Sequence, residues 1–167
     1  MALYAKGWLH NHRQEHREAL VALQRSFELD PSRTGLPFEL GFTHNALGEH
    51  EAAIAVLRSA IEREPNNSLL QREMAYSYMQ LKDTANARVH LERGLELCPA
   101  EKAEQRAELA WNLAVVCRDA GDDEAFQRWV QLAWTLAPGD SEIHRIMSSV
   151  LEGLQPPAAP DAEDGAA

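Results

Sequence analysis

Apolar and small residues fall in register along most of the chain. Four apolar segments end in a proline: Phe27-Glu28-Leu29-Asp30-Pro31, Ile61-Glu62-Arg63-Glu64-Pro65, Leu95-Glu96-Leu97-Cys98-Pro99 and Trp134-Thr135-Leu136-Ala137-Pro138. Pro31, Pro65 and Pro99 are evenly spaced, and Pro138 follows after a longer interval. Proline lacks a backbone donor and disfavours helix in the residue before it, so each one ends a helix. Columns of one residue type line up upstream of these prolines. Counted back from each proline by the same number of positions, Gly7, Gly41, Ala75 and Ala114 form one column, and Ala19, Ala53, Ala87 and Phe126 form another. Leu23, Leu57, Leu91 and Val130 form a third, and Ser26, Ala60, Gly94 and Ala133 a fourth. Small residues on opposed helices let backbones approach, and the larger apolar residues fill the space between layers.

The pattern predicts helices over 2–12 and 16–29, 34–47 and 50–63, and 68–81 and 84–97, with Gly48 and Gly121 in tight turns. Asn67 and Ser68 are candidate N-caps. The fourth unit begins with five residues more than the period allows. Ala100 to Arg118 holds no Gly or Pro, so either one helix is lengthened by more than a turn or a short extra turn precedes a normal helix. Lengthening is the more economical reading, with its partner helix over 123–136. In 141–154, Ile143, Ile146, Met147, Val150, Leu151 and Leu154 fit one helix face, as a terminal element with one wet side requires.

A two-helix unit of about 34 residues resembles the tetratricopeptide repeat family. The stretch that carries the likeness best is Leu40-Gly41-Phe42-Thr43-His44-Asn45-Ala46-Leu47-Gly48-Glu49-His50-Glu51-Ala52-Ala53, and the match runs over about residues 3–138. The resemblance implies an all-α fold, a right-handed α-solenoid of about four helix–turn–helix units. These fall near 1–33, 34–67, 68–101 and 102–140, with a capping helix over 141–154, so that 1–154 is one domain. The tail, 155–167, is acidic and rich in Pro and Ala, and is expected to be disordered. The chain departs from the family where its tryptophan belongs, with Leu3, Pro37, Gln71 and Ala110. It departs again at the first-helix tyrosine, present only as Tyr78 beside His10, His44 and Cys117. Few residues precede Gly7, so the outer face of the first helix is expected to be frayed, to be covered by a second chain in a homo-oligomer, or to mark further repeats upstream.

In such a stack the first helices line the concave face, which points to a peptide-binding groove. Two places one turn apart on each first helix read Tyr4 and Trp8, Phe38 and Phe42, Arg72 and Tyr76, Trp111 and Val115. Six of these eight are aromatic in a chain that is 7% aromatic, so the concentration marks a site. Asn11 and Asn45 follow one turn along, and an asparagine offers an extended backbone both a donor and an acceptor. The expected ligand is a protein or peptide segment, and the role that of an adaptor or scaffold. The alternative is a chaperone for a secreted or assembling partner, similar to the small chaperones of type III secretion. The family's clamp for C-terminal carboxylates of heat-shock chaperones finds no match at Tyr4, Trp8, Glu39, Leu69 and Glu73, two of which carry the wrong charge.

Charge and composition narrow the classes further. A formal charge of −10 repels phosphate backbones and anionic lipid, which argues against nucleic-acid or membrane partners. No apolar run reaches the roughly 18 residues of a membrane span, and no secretory signal is legible, which points to the cytoplasm. Cys98 and Cys117 read as reduced packing residues. His10, His12 and His16 read as solvated rather than metal-binding. With no phosphate loop and no nucleophile–base set, no cofactor and no enzymatic activity are expected.

Overall fold

The computed structural model describes residues 2–137, 139, 141, 144, 145, 147 and 148. Over them the chain is helical, without strands, in eight helices: α1 (Ala2–His12), α2 (His16–Leu29), α3 (Leu36–Ala46), α4 (His50–Arg63), α5 (Ser68–Gln80), α6 (Thr84–Leu97), α7 (Ala103–Asp119) and α8 (Asp123–Leu136). The boundaries follow the sequence reading within one residue, except at two starts. α3 begins at Leu36 instead of 34, because Gly35 takes a left-handed conformation (φ 81°) and Pro37 sits in the first turn. α7 begins at Ala103 instead of 100 and runs for 17 residues against 13 in α5 and 11 in α1 and α3, so the five extra residues lengthen the helix. Asn67 caps α5 by accepting the Leu69 N–H at 3.1 Å. Asp83 and Asp122 cap α6 and α8 from the Asn86 and Ala125 N–H groups. The Asn86 side-chain and backbone donors hold the Asp83 carboxyl below its ordinary value.

Every first helix of a pair ends the same way. Gln14, Gly48, Lys82 and Gly121 are left-handed, with φ of 61°, 78°, 60° and 76°. The N–H of the following residue, Glu15, Glu49, Asp83 or Asp122, returns to the carbonyl of His10, His44, Tyr78 or Cys117 at 2.9 Å. Together with the bond from the left-handed residue's own N–H, this satisfies two terminal carbonyls and reverses the chain. Two of the four turns use glycine, and the other two hold a side chain in a conformation that L-residues disfavour.

Within pairs, the glycine column makes room for the leucine column. A Cβ on Gly7 would lie 2.5 Å from Leu23 Cγ, and one on Gly41 2.5 Å from Leu57 Cδ2. Between pairs, apolar clusters join each second helix to the next first helix. Ala19 and Leu23 pack with Leu36 and Leu40, Ile54 and Leu57 with Leu70 and Met74, and Leu91 and Leu95 with Leu109 and Leu113. Such a stack is stabilised by nearest-neighbour contact. The last cluster sets Val130 and Ala133 against Trp111, and Met147 is fully buried in it. Phe126, which breaks the small-residue column, is half-buried there, while Ala125 beside it is fully buried. Most of the expected capping helix 141–154, and all of the tail 155–167, lie outside the described residues. Both cysteines are free and buried, and burial pushes the Cys117 thiol up. Among the described residues no helix is long and apolar enough to cross a membrane.

Two substitutions test this packing. Lys82→Gly relieves the left-handed strain of an exposed turn residue and should stabilise the fold by about 1 kcal/mol, read as a higher urea midpoint. A lower midpoint would contradict the turn geometry. Gly41→Val forces Leu57 away and should destabilise by about 1–3 kcal/mol in the same assay, and an unchanged midpoint would contradict the close approach.

Candidate partner-binding face

The first helices stand side by side, with α3 touching both α1 and α5. Along their shared face, Trp8, Phe42 and Tyr76 are 43%, 36% and 45% exposed. These rings occupy one position of three successive units. The fourth, Val115, is half-buried on the last cluster. Next to Phe42 and Tyr76 lies a cleft of about 330 Å³, also lined by Asn45, Ala46, Arg72, Glu73, Glu108 and Asn112.

The other sequence-predicted residues take inward places. Tyr4 is half-buried on the cluster of Leu23 and Leu36, with the Arg33 guanidinium 4.8 Å from its ring centre. Burial, and then Glu39, push its hydroxyl above the ordinary tyrosine value, against Arg33. Phe38 packs on the cluster of Ile54 and Met74, and Trp111, 8% exposed, lies in the core beside Met147. Asn11 and Asn45 are each 5% exposed and turned between helices, where Asn45 also lines the cleft. Helix geometry explains the split. Four residues advance about 40° beyond a full turn, whereas seven residues nearly close two turns. The asparagines therefore share the inward heading of Tyr4 and Phe38, and Trp8 and Phe42 swing outward.

The asparagines interlock neighbouring first helices. Asn11 Nδ2 donates to Glu39 Oε2 at 2.8 Å, and its Oδ1 lies 3.0 Å from the Thr43 hydroxyl. One repeat on, Asn45 Nδ2 donates to the Glu73 carbonyl at 3.2 Å, and its Oδ1 accepts from the Ser77 hydroxyl at 2.7 Å. A histidine closes each set. His16 Nδ1 is 3.5 Å from Asn11 Oδ1, and His50 Nδ1 is 3.2 Å from Asn45 Oδ1. Because Oδ1 only accepts, Nδ1 carries the proton in both. These same histidines meet the exposed rings edge-on, His16 to Phe42 at 6.0 Å and His50 to Tyr76 at 6.3 Å between centroids. His12 lies against Trp8 at 3.8 Å.

Sequence reading takes the N-terminal histidines as solvated. In the structure His16 is half-buried with these partners, and His10 bonds Glu15 at 2.6 Å. His12 ends α1 and His16 begins α2, and among the described residues no group of three His, Cys, Asp or Glu is placed to hold a metal. The polar sets were legible in principle: Asn11, His16, Glu39 and Thr43 map onto Asn45, His50, Glu73 and Ser77 by a shift of one repeat. They stop there because Met79 and Thr84 take the next asparagine and histidine places.

The ionisation of Glu73, on this face, is perturbed. Burial raises its pKa, opposed by Arg72 and Asn45 and aided by Glu108. Arg72 reaches Glu73 at 3.3 Å and Glu108 at 3.4 Å. A carboxyl whose folded pKa is raised binds more protons folded than unfolded, so its contribution to stability falls as pH rises from the ordinary value of 4.5 through the folded one. Glu73→Gln should therefore melt at the same or a higher temperature at pH 7, with the difference shrinking as pH is lowered towards 4.5. A loss above about 1 kcal/mol at pH 7 would show that the Arg72 pair outweighs the burial.

Residues 44–101 match the tetratricopeptide repeat family model. No curated protein matches the chain. Among solved structures, a MamA RS-1 double mutant superposes with a TM-score of 0.75 at 17% identity, over 93% of this chain and 84% of that one. MamA 41-end from Desulfovibrio magneticus RS-1 gives 0.70 at 15% identity, over 83% and 76%. MamA AMB-1 gives 0.69 at 20% identity, over 91% and 80%. At these identities the likeness concerns the fold. Residues 44–101 match the tetratricopeptide repeat, and the helix pairs on either side continue the same stack of helix–turn–helix units.

Proposed function

We propose that the chain is an adaptor or scaffold that holds an extended segment of a partner protein along the face made by its first helices. The observation that carries this reading is the row Trp8, Phe42 and Tyr76. Rings of this size normally bury themselves, and here three stay about two-fifths exposed at equivalent places of consecutive units. Aromatic anchors supply most of the energy of protein interfaces, and rigid rings lose little entropy on binding. His16 and His50, each anchored on a buried asparagine, brace two of the rings before any ligand arrives. A braced ring loses less freedom on contact, so more of its burial appears as affinity.

The reading is tested by affinity capture from cell extract with the intact chain and with a Trp8→Ala/Phe42→Ala double variant, followed by mass spectrometry and titration of the captured partner. Each truncation should cost about 2 kcal/mol, so the double variant should lose at least a hundredfold in affinity while keeping its helical circular dichroism. A folded double variant that holds the same partner with unchanged affinity would remove this face from the function.

A further inference from the structure

Of the residues lining the cleft beside Phe42 and Tyr76, three are charged: Arg72, Glu73 and Glu108. The Arg72 guanidinium is shared between the two carboxylates at 3.3 and 3.4 Å, both longer than a well-formed charged pair. One positive charge thus faces two negative ones. Glu73 is nearly enclosed and also bonded to Asn45, whereas Glu108 is 44% exposed at its side chain and opens on solvent. Asn112, half-buried on the same wall, adds an amide acceptor. The walls are the rings of Phe42 and Tyr76, whose faces attract cations.

Resting on the reading of this face as a partner-binding surface, we propose that the cleft between α3, α5 and α7 takes a lysine or arginine side chain of the partner segment, flanked by apolar residues that lie on Phe42 and Tyr76. The incoming cation sits at the open side of the Glu108 carboxylate and offsets the negative charge that Arg72 leaves over. A free carboxylate or an acidic segment would meet Glu73 and Glu108 and be repelled. Glu108 is then the residue that sets specificity, because its equivalents in the second and third units are Gly35 and Leu69, which carry no charge. The formal charge of −10 over the whole chain steers a basic segment in the same direction.

The test is selection of a random dodecapeptide library, displayed on phage, against the full chain and against its Phe42→Ala and Tyr76→Ala variants. Peptides retained by the natural chain and lost by the ring variants should carry Lys or Arg at a common position between apolar residues. For a synthetic copy of one such peptide, Glu108→Gln should weaken binding about fivefold or more, and replacing the peptide's own cation by Gln should cost as much with no further loss in the pair. Ring-dependent peptides without a shared cation, or affinity indifferent to Glu108→Gln, would overturn the cation site and leave the partner-binding face standing. A selection that yields no ring-dependent peptide would count against the face itself and against this inference with it.

Discussion

The arrangement rests on the buried amides between first helices. Apolar contact is non-directional, and a leucine cluster tolerates sliding by a fraction of a turn. An asparagine enclosed between two helices needs partners for its donor and for its acceptor, and finds them only in one register. Asn11 takes Glu39 and Thr43, and Asn45 takes Glu73 and Ser77. Two successive junctions are thereby set in register by equivalent positions, Asn11 bonding the Glu39 carboxylate and Asn45 the Glu73 backbone carbonyl.

Everything proposed for function follows from that register. With the inward heading given to the asparagines, the residue three positions before each one, Trp8 or Phe42, is turned to the open side, and Tyr76 repeats the place. The histidines that complete the polar sets are the ones that brace Phe42 and Tyr76. The third unit drops the asparagine for Met79, and the junction with α7 is apolar, through Leu91, Leu95, Leu109 and Leu113. It is here, where the network ends, that Arg72, Glu73 and Glu108 bring unbalanced charge to the wall. The face is thus apolar at its N-terminal part and acidic towards α7.

Much of the fold was legible in the sequence because prolines and small residues report it directly. Pro31, Pro65 and Pro99 set the period, and Gly41 opposite Leu57 is a contact that only a small residue permits. The turns at Gln14 and Lys82 were less plain, since neither is the residue a left-handed turn favours. The candidate site was read less well. The two aromatic places on each first helix look alike in a sequence, but one lies between pairs and the other outside, so Phe38 and Trp111 went inward while Phe42 stayed out. Asn11 and Asn45 have the composition of ligand-binding residues, and the partners that occupy them, Glu39, Thr43, Glu73 and Ser77, stand a whole repeat further along the chain. His16 and His50 look like surface histidines until the preceding helix is placed beside them.

The most direct test is a double-mutant cycle on Asn45 and Ser77, measured by urea unfolding of Asn45→Ala, Ser77→Ala and the double variant. Both groups are buried and bonded at 2.7 Å, so a coupling of about 1 kcal/mol or more is expected, with each single variant less stable than the natural chain. Additive losses, with no coupling between the two positions, would mean that apolar packing alone aligns the first helices and that the amides do not hold the register.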